Sequence, residues 1–161
     1  MALYCRLRCW IDTAARRSAR LLITSGFDAV LIENFGDAPF RAADVEPHTI
    51  AAMAIVVHEV RRAVPNPVGV NVLRNDAMAA VALAAVGGGD FVRVNVHVGV
   101  YATGQGIIEG RAPAVLRYRG MLGGRAAILA DVHVKHAEPL SSRDLAQAAE
   151  ETAYRGRADA L

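Results

Sequence analysis

The feature that most constrains this chain is a rhythm. Short apolar runs that read as strands alternate with longer helical patterns, and Gly or Pro stands at the joints. The pattern predicts a helix over 11–25 stopped by Gly26, a strand over Asp28–Glu33, and a helix from Thr49 to Val64 closed by Pro65-Asn66-Pro67. A strand over Val68–Leu73, an Ala-rich helix over Asp76–Val86 and a Gly87-Gly88-Gly89 break come next. Phe91–Val98 reads as strand, a long glycine-containing loop follows, and 109–122 reads as helix. Ala126–Val134 reads as strand, Ser141 or Ser142 caps a helix running to Tyr154, and Ala158 opens a further strand. Strand starts fall about thirty to forty residues apart, the length of one βα unit. Such alternation demands a parallel sheet with helices on at least one face.

Two strands carry polar residues where a doubly covered sheet would not. In 90–99, Val92, Val94, Val96 and Val98 share one face and Arg93, Asn95 and His97 the other. In 127–136, Ile128, Ala130, Val132 and Val134 oppose Leu129, Asp131, His133 and Lys135. An open flavodoxin-like sheet also fits the alternation, but its strands would be almost continuously apolar. A barrel interior gives the polar face a place near the carboxyl ends of the strands. Four βα units are complete and a fifth strand is begun, whereas an eightfold barrel needs roughly 250 residues. The expectation is α/β: a partial TIM (β/α) barrel with four to five of eight units, forming one incomplete domain over 1–161 with an atypical segment at 1–20.

Each expected strand contributes a polar group near its end: Glu33, then Asn71 and Asn75, then Arg93, Asn95 and His97, then Asp131, His133 and Lys135. Glu33, Asp131 and His133 combine oxygen and imidazole donors that suit a divalent metal, or else supply a general acid and base. Lys135 is a Schiff-base candidate if desolvated. Arg93 either clamps an anion in bidentate fashion or pairs internally with Glu33 or Asp131. Asn71, Asn75, Arg93, Asn95 and Gln105 are read as substrate-binding. The glycines of 99–110 suit a phosphate-holding loop or a lid, although Gly104-Gln105-Gly106 is too short for a nucleotide fingerprint. His48 and His58 read as surface residues.

Composition narrows the partners. A net charge of +2 makes no case for nucleic acid, and no run of about eighteen apolar residues predicts a membrane span. Arg6, Arg8, Arg16, Arg17 and Arg20 crowd the first twenty residues and read as a solvated helix face. Cys5 and Cys9 are too few for a disulfide framework or a zinc site, so the expected compartment is the cytoplasm. Terminal strands with unpaired edges predict a homo-oligomer.

Four strings carry a family resemblance: Leu31–Phe40 (LIENFGDAPF), Gly69–Asp76 (GVNVLRND), Gln105–Gly110 (QGIIEG) and Ala130–Ala137 (ADVHVKHA). Together they resemble the BtpA family, which includes SgcQ-like proteins. The resemblance implies a TIM-type barrel grouped with the ribulose-phosphate-binding barrels. It implies a part in photosystem I biogenesis in cyanobacteria, with a membrane protein complex as partner and a location at most peripheral to the membrane. For relatives in organisms without photosynthesis it implies an enzyme of sugar or nucleoside metabolism with a small-molecule ligand. Three departures stand out. Residues 1–20 do not resemble the family's first strand, Gly104 replaces an Asp, and three final units are missing. An inactive fragment is therefore a third expectation.

Overall fold

The computed structural model describes residues 14–161. Arg6, Arg8, Cys5, Cys9 and the start of the expected first helix lie outside them. Helix α1 runs through residues 14–24, and its chain reverses at Gly26, whose φ of 93° only glycine adopts readily. The strands are β1 (Val30–Glu33), β2 (Val68–Asn71), β3 (Phe91–Val94), β4 (Val100–Thr103), β5 (Gly106–Glu109), β6 (Ala127–Ala130) and β7 (Ala137–Pro139). The other helices are α2 (Pro47–Ala63), α3 (Ala77–Gly87), α4 (Ala112–Met121) and α5 (Leu145–Glu150), the last continued by a π-turn over Glu151–Arg155.

Strands β1, β2, β3 and β6 form one parallel sheet in that order, so each βα unit lies beside the one before it. That sequential order is the order of a TIM-type barrel, and the sheet is a partial one. Its fifth position begins at Ala160, which bridges Leu129 in parallel. A carboxylate ahead of a strand ties it to its neighbour. Asp90 accepts from the Val68 N–H at 2.9 Å, and Asp159 accepts from the Ile128 N–H at 2.8 Å.

Packing explains why the elements sit where they do. Val57 of α2, Val70, Val92 and Ile128 are fully buried in one core, each contributing about 1.5–3 kcal/mol of hydrophobic free energy. Helix α3 packs between α2 and α4. Its Ala79, Ala80 and Ala84 are small enough to seat it closely in the core. The Asp76 side chain caps it from the Ala79 N–H, and Gly88 ends it at φ 81°.

The expected long loop after β3 is a hairpin. Strands β4 and β5 pair antiparallel around Gly104-Gln105, and β7 pairs with β4 on the other side. Tyr101 and Ile108 turn inward onto Val96 and Val134 to form a separate small core. The glycines that suggested an open loop here mark a turn. Helix α4 consequently starts at Ala112, not 109. Strands β3 and β6 end at Val94 and Ala130, earlier than expected. Beyond them apolar and polar side chains still alternate, but on irregular backbone, with His133 at φ 49°. The alternation does not report burial here, because Asn95, Val96 and His97 are consecutive and all buried. Helix α5 is capped by Asp144 in a reciprocal box with Gln147, and not by Ser141 or Ser142.

Candidate functional site at the strand ends

The carboxyl ends of the four parallel strands bring five polar side chains into one network. Glu33 ends β1 and Asn71 ends β2, in register with each other, and the Asn71 amide donates to Glu33 Oε1 at 2.6 Å. Arg93 lies within β3. Its Nε and Nη2 donate to the two Asp131 oxygens at 2.8 and 2.9 Å, while Nη1 lies 3.7 Å from Glu33 Oε1. Asp131 follows β6 directly, and its Oδ2 also accepts from Asn95 Nδ2 at 3.0 Å. The in-register pairing of β3 with β6 sets Arg93 beside Leu129, one step from Asp131.

Electrostatics follow from this geometry. The Arg93 guanidinium is held protonated above its ordinary range, chiefly by the Asp131 hydrogen bonds and against the cost of burial. Arg93, Glu33 and Asp131 keep 38, 24 and 19% of their side-chain surface, so the network remains open to solvent. Asn95 is buried, and its Oδ1 has no hydrogen-bond partner among the described residues. An unpaired buried acceptor costs about 1–3 kcal/mol, and such groups gather at functional sites.

Other expected site residues lie elsewhere. Asn75 is buried and exchanges two hydrogen bonds with the Val96 backbone, at 2.9 and 2.7 Å, which engage both its amide nitrogen and its carbonyl oxygen. It fastens the β2 loop to the segment after β3. Gln105 stands at the exposed hairpin turn. Lys135 is exposed, and its carbonyl accepts from Arg74. His133 lines a separate small crevice with Val98, Tyr101 and Thr152. Among the described residues no three His, Cys, Asp or Glu side chains are placed to hold a metal ion, so Glu33, Asp131 and His133 do not assemble as the expected trio. His133 lies beyond the end of β6 with φ 49°. His48 and His58 are exposed, as expected.

The loops around this rim are cross-braced. Asn34 accepts from the Leu73 N–H at 2.7 Å and donates to the Leu73 carbonyl at 3.3 Å. The Arg74 N–H donates to the Arg41 carbonyl at 3.0 Å. Sequence reasoning passed over Asn34, although Asn just after a strand is a residue type that bonds backbone in turns. His97 is 1% exposed, with Nε2 2.9 Å from the Gly156 carbonyl and Nδ1 unpartnered. Burial lowers its pKa below the ordinary value, against the Gly156 contact. Tyr101 is pushed the other way by burial, opposed by a hydrogen bond with the His133 backbone.

The family model described as the BtpA family matches residues 4–161. The chain belongs to the BtpA family. That match also takes in most of the N-terminal stretch set apart on sequence alone. A Synechocystis relative, photosystem I biogenesis protein BtpA, is 48% identical over 147 residues, covering 91% of this chain and 51% of its own length. An uncharacterized protein of Methanocaldococcus jannaschii is 45% identical over 91% of this chain and 55% of its own. The sgc-region protein SgcQ of Escherichia coli is 30% identical over 94% and 56%. The chain therefore spans about half the length of the curated BtpA-family relatives it matches. No solved structure matches it at a significant level. Among the described residues no helix is long and apolar enough to cross a membrane.

Proposed function

We propose that the strand-end network is the small-molecule site of a barrel enzyme acting on a phosphorylated sugar or nucleoside-like metabolite. One observation carries the reading: polar side chains from four successive parallel strands converge at their carboxyl ends in a single hydrogen-bonded group. In α/β barrels that rim is where substrates bind. Glu33 is the proton-transferring group. It is partly exposed, positioned by Asn71 and free of a bidentate partner. Asp131 is neutralised by Arg93 and acts as a positioning residue through Arg93 and Asn95. His133 and Lys135 stand outside the network and have no part in this assignment.

A thermal-shift screen of sugar phosphates and nucleosides tests this. A ligand at a hundredfold excess over its Kd adds about 2.7 kcal/mol, or roughly 5–11 °C in Tm for a chain of this size. Glu33→Gln should weaken binding about tenfold and so roughly halve the shift. A library without a single binder, or an undiminished shift in Glu33→Gln, would overturn the reading.

A second reading, a part in photosystem I assembly, is favoured by the 48% identity to the Synechocystis protein named for that process. In a photosynthetic host, loss of photosystem I on gene deletion and its rescue by the Glu33→Gln chain would support assembly over catalysis.

A further inference from the structure

We infer that the Glu33–Arg93–Asn95–Asp131 centre receives an uncharged, hydroxyl-bearing part of its ligand, and not a phosphate or carboxylate. The inference deepens the small-molecule reading above and rests on it. Arg93 is the one cation of the network, and its Nε and Nη2 are both committed to Asp131. The side-on edge that would grip an anion in bidentate fashion is therefore occupied, and on the other edge Nη1 lies 3.7 Å from Glu33 Oε1. Two carboxylates against one guanidinium leave the centre net negative, which repels a phosphate. Arg74 and Lys135 lie in the loops beyond β2 and β6, where Arg74 Nη2 donates to the Lys135 carbonyl. Neither forms an ion pair with Glu33 or Asp131.

What the centre lacks is donors. Asn95 Oδ1 is a buried acceptor without a partner among the described residues, in a residue only 2% exposed. The amide cannot turn over to correct this, because Oδ1 would then face Asp131 Oδ2, acceptor against acceptor. Glu33 Oε2 likewise receives no hydrogen bond from a described residue, since both contacts of that carboxylate fall on Oε1. A hydroxyl donates one hydrogen bond and accepts others. Hydroxyls can serve these two acceptors, one each, while accepting from the remaining Arg93 N–H groups, whereas an ammonium donates but cannot accept. Because Asn95 Oδ1 is covered, the donor enters with a small displacement of the segment beyond β3.

The test is ¹⁵N-edited NMR of the full chain, following the Asn95 side-chain amide and the Arg93 Nε–H. Polyols (ribitol, xylitol and myo-inositol) and inorganic phosphate are titrated separately at matched ionic strength. At least one polyol should move both signals saturably, while phosphate at the same concentration moves neither. Glu33→Gln should weaken polyol binding about tenfold, the loss of one charge-assisted hydrogen bond. Saturable movement of these signals by phosphate would overturn the hydroxyl assignment and leave the small-molecule site standing. Silence toward every probe would overturn both. If Glu33→Gln fails to fold, the wild-type titrations decide.

Discussion

Replacing Asp131 by Ala probes the network most directly. Asp131 holds Arg93 at 2.8 and 2.9 Å and Asn95 at 3.0 Å. The Arg93 pair is partly exposed, so its loss costs only about 1 kcal/mol. Asn95 is buried, and its Oδ1 is already unpaired. Without Asp131 its Nδ2 loses its partner too, and stranding a buried donor costs about 1–3 kcal/mol. The sum is about 2–4 kcal/mol, or roughly 4–16 °C in Tm for a chain of this size. Asp131→Asn keeps an oxygen acceptor for Asn95 and should lose only the charge contribution, about 1 kcal/mol. Urea unfolding read by circular dichroism measures both. The midpoint should fall at unchanged m-value, with the Ala variant at least twice as affected. A double-mutant cycle with Arg93→Ala should show coupling of about 0.5–3 kcal/mol, because the two residues touch. Equal losses in Asp131→Ala and Asp131→Asn would refute the argument, since they would mean that Asn95 does not depend on the acceptor.

Gly110→Ala should destabilise by about 1–3 kcal/mol in the same urea assay. Its Cβ would lie 2.5–2.6 Å from Val98 and His97 backbone atoms, which cannot swing aside as a side chain would. Asp76→Ala removes the α3 cap and strands the Val45 N–H, which Asp76 Oδ2 accepts at 3.0 Å; about 2–4 kcal/mol should disappear, measured as a Tm drop. His97 gives the pH dependence. Its folded pKa lies below the ordinary value near 6.5, so the unfolded chain binds the proton more readily. His97 therefore costs nothing above pH 6.5, and stability falls as pH drops from 6.5 through the folded pKa. His97→Gln should flatten that part of the stability curve, and an unchanged slope would count against burial as the cause.

The strand and helix succession was legible in the sequence because it rests on local signals. Apolar runs of Val and Ile, the Pro65-Asn66-Pro67 stop and the glycine break at Gly88 act over a few residues and need no tertiary partner. So was the gathering of Glu33, Asn71, Arg93, Asn95 and Asp131, because parallel strands in a βα series all present their carboxyl ends at one rim. The four strings that resemble the BtpA family point to it, and the family model matches residues 4–161. Tertiary structure decided the rest. Arg93 could equally have clamped an anion or a neighbour, and only the in-register pairing of β3 with β6 gave it to Asp131. Asn75 was as polar as Asn95 on the page, but the Val96 backbone claimed it. The hairpin hid inside a glycine-rich stretch because its third strand comes from Ala137–Pro139, far beyond its own end at Glu109. His133 lines a different crevice and adopts φ 49°, a conformation no alternation pattern encodes. Local sequence sets what each segment can become, whereas the partner of a given polar atom depends on which distant backbone is packed against it.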